Sequence, residues 1–213
     1  MSRSLIWLSI PFFVAAMVIE YLVGKRKGVK LYRGRDTLAN LACGLLSEAA
    51  GIGVKLLAIP IYSFVYERIA PLRLWEHTGQ IPHWLKWFVA FVAVDFCYYW
   101  FHRASHRINF LWACHAVHHQ SEEYNYSVAL RQSALGGLFS WVFYVPLALV
   151  GLPPAVWLTC YSINLIYQFV VHTKLVKEIG PFRLVLNSTS HHRVHHARDS
   201  EYLDKNYAGT LIV

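Results

Sequence analysis

Five long apolar runs, separated by short polar stretches, organise this chain. Leu5–Val23 is interrupted only by Pro11 and Glu20. Leu38–Tyr66 contains Glu48, Lys55, Gly51, Gly53 and Pro60. Trp84–Phe101 carries Lys86 near its start and Asp95 deep inside, whereas Ala134–Gly151 and Ala155–Val171 carry no charge. A membrane-crossing helix needs about 20 mostly apolar residues, so each run is a candidate span. The pattern predicts an all-α integral membrane bundle of about four to five membrane-embedded helices. Gly151-Leu152-Pro153-Pro154 supplies turn chemistry between the last two runs and predicts a tight helical hairpin. The first run resembles a signal peptide in length. It has a single Arg3 ahead of it, no small-x-small cleavage site and basic residues after it, so it is expected to stay as an anchor.

Composition agrees with the pattern. Of 213 residues, 56% are hydrophobic and only 15% charged, against about 25% charged in soluble domains. A soluble enzyme, a disordered chain and a secreted disulfide scaffold are thereby excluded. Cys43, Cys97, Cys114 and Cys160 are far apart, with no CxxC pair, and are expected to be reduced thiols. The net charge of +8 comes from basic residues flanking the apolar runs, which fits an anionic membrane face and not nucleic acid. Gly24–Thr37 holds six basic residues and one acid, while Glu67–His83 holds two of each. The excess of Lys and Arg places Gly24–Thr37 in the cytoplasm. Five crossings then bring residues 102–119 and 172–213 to that same face.

Those two regions hold the unusual chemistry. Nine of the twelve histidines lie in residues 102–119 and 191–196. His102-x3-His106 puts two imidazoles on one helix face. His115-x2-His118-His119 and His192-x2-His195-His196 repeat one spacing, and His172 stands at the end of the fifth run. Neutral imidazole is a common ligand for Zn, Cu, Fe and Ni. So many histidines exceed the needs of one ion and point to two. Iron suits chemistry with O2, whereas zinc has no redox chemistry. A polar rim or a pH sensor built from histidine is the plain alternative; His77 and His83 are read as ordinary interfacial residues. No HExxH, Glu-x-x-His, GxGxxG or GxSxG motif is present. Any electrons must therefore come from an external donor.

The wider motif string is specific. Asp95-x3-Tyr99-Trp100-x-His102-Arg103 leads into the first box, and Trp112-x2-His115-x2-His118-His119 into Ser121-Glu122-Glu123-Tyr124-Asn125. Leu130-Arg131-Gln132-Ser133 and Gln168-Phe169-x2-His172-Thr173 follow. Asn187-Ser188-x-Ser190-His191-His192-Arg193-Val194-His195-His196 and Asp204-Lys205-Asn206-Tyr207 complete it. Together they resemble the membrane-bound fatty acid hydroxylase and sterol desaturase superfamily, most of all its alkylglycerol monooxygenase and C5-sterol desaturase branch. The resemblance implies an N-terminal transmembrane region over 1–83 and a catalytic domain with a cytoplasmic histidine-rich helical cap over 84–213. It implies a non-haem di-iron enzyme that uses O2 to hydroxylate or desaturate a C–H bond of a sterol, fatty acyl chain or ether lipid. Carried over by position, the iron ligands are His102, His106, His115, His118, His119, His172, His192, His195 and His196, with His191 a ligand or a neighbour of one. Family chains continue into a Trp-Asp-x-x-Phe-Gly stretch, and this chain ends at Val213 before it, so it is expected to be a fragment or to lack that tail.

Residues around the boxes have candidate roles. Asp95, two helical turns before His102, is placed either to accept an N–H from a ligand histidine or to pair with Arg103, Arg107 or Lys86. Arg131 and Gln132 are candidates for binding a polar lipid head group, or interfacial residues with their stems along apolar surface. Glu122 and Glu123 are read as solvated residues or guides for a head group. The donor is a ferredoxin, a cytochrome b5-like protein or a reduced pterin. A zinc-dependent hydrolase on the same histidines is the rival enzyme, and a metal transporter or sensor the rival non-enzyme. The lack of a eukaryotic retrieval signal points to a bacterial inner membrane.

Overall fold

The computed structural model describes residues 5–212. Its helices are α1 (Leu5–Arg26), α2 (Gly34–Phe64), α3 (Leu74–His77), α4 (His83–Arg107), α5 (Asn109–His119), α6 (Tyr126–Ala129), α7 (Gly137–Ser140), α8 (Val145–Leu149), α9 (Pro154–Val171) and α10 (Thr189–His195). A π-helical turn over Val65–Ile69 prolongs α2. The only β pairing among the described residues is one antiparallel bridge between Leu186 and Leu211.

Among the described residues, three helices are long and apolar enough to cross a membrane: α1, α2 with its π turn, and α9. Their outer surfaces carry exposed apolar side chains, such as Leu45, Leu56 and Ile19, that lipid tails would cover. At 25 residues, α4 is longer than α1 and α9 and shorter than α2. Its buried face is polar toward one end, with Asp95, His102 and Ser105, and packs inward. Away from the histidines the core is aromatic and aliphatic. Tyr62 of α2 stacks on Trp157 of α9 at 4.2 Å and donates its hydroxyl to the Leu152 carbonyl at 3.0 Å. Val94, Tyr144, Ala148 and Cys160 fill the space between.

The fourth apolar run departs from expectation. Ala134–Gly151 is not one helix: it is α7, a 3-10 turn over Trp141–Tyr144, and α8. Gly136-Gly137 gives the first turn little helical preference, and Pro146 contributes no N–H to bond back into the preceding turn. Even wound as one α-helix, the thirteen residues from Gly137 to Leu149 would cover about 20 Å, short of the roughly 30 Å of a hydrocarbon core. The run still extends along α2, from Ser47, whose hydroxyl donates to the Ser133 carbonyl, to the α3 loop, where Leu74 N–H donates to the Val150 carbonyl at 3.1 Å. The expected hairpin to α9 is present. Gly151 makes it at φ +88°, with its Cα so close to Arg73 that a Cβ would lie 2.6 Å from that residue's Cα.

The basic loop and the histidine boxes share one end of the bundle. Arg33 pairs with Glu122 at 2.6 Å and Glu123 at 2.9 Å. Ser121 donates to Asp36 at 2.6 Å, and Asn125 donates to the Leu31 carbonyl at 2.7 Å. Helices α4 and α9 both end here, delivering His102, His106 and His172.

Candidate metal centre

Four pieces of chain deliver the nine histidines. The end of α4 carries His102 and His106, α5 carries His115, His118 and His119, the α9 terminus presents His172, and α10 with its C-cap carries His192, His195 and His196. The short α10 is fixed by a capping box. Ser188 accepts from the His191 N–H, and the His191 side chain accepts from the Ser188 N–H.

The imidazoles separate into two groups, His102, His106, His115, His119 and His195, and His118, His172, His192 and His196. Within each group, one nitrogen per ring lies within 4.8 Å of all the others. Each repeated box is split between them. In α5, His115 and His119 face the first group and His118 the second; in α10, His192 and His196 face the second and His195 the first. Positions i+3 and i+4 diverge by about 100° around a helix, so one HxxHH string serves two sites. The groups abut, the His119 ring lying 4.4 Å from the His196 ring.

Their hydrogen bonds decide which nitrogen faces inward. His102 Nδ1 donates to the Tyr207 carbonyl at 3.1 Å, His118 Nδ1 to the Arg131 carbonyl at 3.1 Å, His172 Nδ1 to the Gln168 carbonyl at 2.6 Å and His195 Nδ1 to the Lys205 carbonyl at 3.2 Å. His106 Nδ1 faces Asp204 at 3.3 Å. A carbonyl or carboxylate oxygen only accepts, so each Nδ1 carries the proton and each Nε2 presents a lone pair. The lone pairs converge. His118 Nε2 and His172 Nε2 are 3.2 Å apart, with no proton to place between them. His106 Nε2, His195 Nε2 and His196 Nε2 are buried without a hydrogen-bond partner. Metal–imidazole bonds of about 2.0–2.1 Å place right-angled ligands about 2.9 Å apart. His102 and His115 at 3.0 Å and His192 and His172 at 3.0 Å have that spacing. The donor set therefore fits metal ions, one per group.

Burial keeps these rings neutral. It pushes His118 down to about 4, and burial reinforced by the neighbouring imidazoles holds His115, His119, His192, His195 and His196 well below the usual histidine range. Neutral imidazole is the form that binds a metal.

The other candidates are placed differently. Asp95 touches no histidine and no basic side chain through its hydrogen bonds. It accepts from Asn164, from the Thr210 N–H at 2.7 Å and from the Leu211 N–H at 3.0 Å. It thus moors the C-terminal strap, residues 204–212, to α4 and α9. The Arg131 guanidinium spends three of its five N–H donors on the Val117 carbonyl, Asn40 and Gln120, at 2.7, 3.0 and 3.2 Å, which ties it to the chain around His118. Gln132 donates to the Ala129 carbonyl at 3.1 Å beside His118. His191 lies outside both groups, engaged in the α10 cap.

The strap is what sequence reasoning missed. Asp204, Lys205 and Tyr207 supply the partners of His106, His195 and His102. Asp204 and Asn206 adopt left-handed backbone, at φ 57° and 56°, a conformation that Asp and Asn tolerate better than most residues. The string Asp-Lys-Asn-Tyr was the available signal, since its first and third residues mark such turns.

The fatty acid hydroxylase family model matches residues 87–213. Human alkylglycerol monooxygenase is 44% identical over 204 residues, covering 95% of this chain and 44% of that protein. The Danio rerio alkylglycerol monooxygenase is 42% identical over 206 residues, with the same coverage of 95% and 44%. The ornithine lipid hydroxylase OlsE of Rhizobium tropici is 25% identical over 227 residues, covering 98% of this chain and 65% of that protein. The chain thus spans under half the length of the two alkylglycerol monooxygenases. No solved structure matches it. With its histidine boxes inside the matched segment, the chain belongs to the fatty acid hydroxylase family.

Proposed function

We propose that this chain is the catalytic part of a membrane-bound lipid monooxygenase whose nine grouped histidines hold two iron ions. The observation that carries the reading is the pair of protonless Nε2 atoms of His118 and His172, 3.2 Å apart in a buried site. The names of the relatives, alkylglycerol monooxygenase and ornithine lipid hydroxylase, support a lipid C–H bond as the target. When bound, the irons would supply the redox chemistry by which O2 and two external electrons oxidise that bond.

The chain's own residues do the rest. Carbonyls of Gln168, Arg131, Lys205 and Tyr207 hold the Nδ1 protons, so every oriented ring offers Nε2. Both groups sit where α4 and α9 end; with that end taken as the membrane boundary, they would lie where a lipid passes from tail to head group. A carbon close to the head group is therefore the one presented, which favours an ether lipid of the alkylglycerol kind over the far end of an acyl chain. On the polar side, a cavity of about 300 Å³ lined by His119, Glu122, Glu123, Lys174, His196 and Arg198 reaches one histidine of each group. This would give a water-side electron donor, protein or reduced pterin, an approach to both groups. The basic loop beside it supports the cytoplasmic side for this end. The animal relatives lend no support to a bacterial inner membrane.

The test is elemental analysis of detergent-purified protein loaded with ferrous iron without oxygen, followed by turnover of an alkylglycerol under O2. About two irons per chain and O2-dependent product are expected. Zinc that iron cannot displace, with turnover that ignores O2, would replace this reading with the hydrolase.

A further inference from the structure

Glu20 is the most deeply buried carboxylate among the described residues, at 1% exposure, and lies in the most apolar helix, α1. A carboxylate at such a depth is costly unless fully hydrogen-bonded and marks function by default. Its partners are all donors. Thr173 donates its hydroxyl to Oε1, while Tyr32 donates its hydroxyl and Tyr126 its backbone N–H, at 2.9 Å, to Oε2. The nearby His172 and its neighbours make this more than a helix-packing contact. Thr173 follows His172 directly, at the point where α9 unwinds. Tyr126 opens α6, and two residues earlier Tyr124 stacks on the His172 ring at 5.7 Å and donates to the Val171 carbonyl at 2.9 Å. One carboxylate therefore fastens both segments that flank His172. Apolar packing runs parallel to it, with Phe13 of α1 stacked on Phe169 of α9 at 4.2 Å.

We infer that Glu20 is a positioning residue for the second histidine group, acting through Thr173 and Tyr126 from a helix outside the matched family segment. Among the described residues no hydrogen bond ties the first group to α1; three of its five histidines, His102, His106 and His195, take their partners from the 204–212 strap. The two groups thus have separate supports, and disturbing Glu20 weakens one metal site and spares the other. This rests on the two-metal reading above.

The test is ferrous iron content after anaerobic loading, compared among variants. Glu20→Gln keeps the volume but turns one acceptor oxygen into an NH2 that must face a donor. Iron retained after passage over a chelating column is expected to fall about twofold, from two ions to one. Combining E20Q with His118→Ala, a change in the same group, should cause no further loss; combining it with His106→Ala should remove nearly all iron. Thr173→Val, which at constant shape removes the hydroxyl that donates to Glu20 and accepts from the Leu175 N–H and leaves the carboxylate intact, serves if E20Q does not fold, and should release iron from one site with the same pattern of doubles. Wild-type retention by both Glu20→Gln and Thr173→Val, or further loss with His118→Ala, would overturn the inference. Failure of the wild-type protein to bind iron at all would instead overturn the two-metal reading.

Discussion

His118 and His172 point their Nε2 atoms at each other across 3.2 Å while each keeps its proton on the far nitrogen. Two lone pairs at that distance repel unless a cation lies between them. Replacing His118 by Ala removes one of them and opens the second group. Retained iron should drop from about two ions per chain to about one, and lipid oxidation should fall by more than the roughly 10–100-fold typical of losing an outer hydrogen bond. Elemental analysis beside a turnover assay checks both. Full iron with full turnover would refute the assignment of His118.

The neutral rings make stability depend on pH. Unfolded histidines titrate near 6.5, and burial holds His118 at about 4 in the folded protein. Between those values the unfolded chain binds more protons, so folding free energy is lost as pH falls. The same sign applies to His192, His195 and His196. The unfolding midpoint of metal-free protein in detergent is expected to fall steadily from about pH 7 to about pH 5. A flat midpoint across that window would show that the rings are not held neutral.

Much of this was legible beforehand, for definable reasons. Apolar runs of about 20 residues report spans directly, and α1, α2 and α9 lie where those runs are. Histidine is conspicuous by type, so all nine residues singled out could be named from spacing and resemblance. The fourth run misled because hydropathy does not register Gly136-Gly137 and Pro146, which break the helix without lowering apolarity. The splitting of each HxxHH box between two groups was hidden because spacing gives a helix face but not what stands opposite it. Backbone carbonyls are invisible in a sequence, so the partners of His118, His172, His195 and His102 had no signal of their own.

Asp95 supports the centre at one remove. Asp95→Asn would set an NH2 against a donor whichever way the amide turns: the Leu211 N–H on one side, or the Asn164 amide and the Thr210 N–H on the other. A lost hydrogen bond to a buried carboxylate costs about 2 kcal/mol. Loosening of the strap should appear as faster amide exchange at Thr210 and Leu211, with iron affinity of the first group reduced about 10–100-fold. Unchanged exchange at those amides would sink this role.

Gly209 tests the same strap from the other side. A Cβ there would lie 2.6 Å from Asp95 Oδ1 and 2.7 Å from Tyr98 Cδ1. Gly209→Ala should therefore lift the strap as Asp95→Asn does, lowering iron in the first group and leaving the second filled. Equal loss from both groups would mean general unfolding in place of local displacement.

Arg131 separates head-group binding from positioning. Its guanidinium holds the Val117 carbonyl and its own carbonyl holds His118. Arg131→Lys loses the fork of contacts. Lower iron content at unchanged KM for lipid is expected; a raised KM with full iron would return Arg131 to the substrate.

The exchange of histidines between boxes also sets an order of events during synthesis. Each group needs a side chain from the 192–196 segment, and the first also needs the carbonyls of residues 205 and 207. His102 and His106 are made long before these. At about 5–20 residues per second, the earlier imidazoles wait roughly 5–20 s for their counterparts. Neither pocket can be completed on a nascent chain whose third box is still inside the ribosome. On the two-metal reading, metal uptake would therefore be a late step that locks an already inserted bundle, and any ion captured sooner would be held by fewer ligands and exchange more readily.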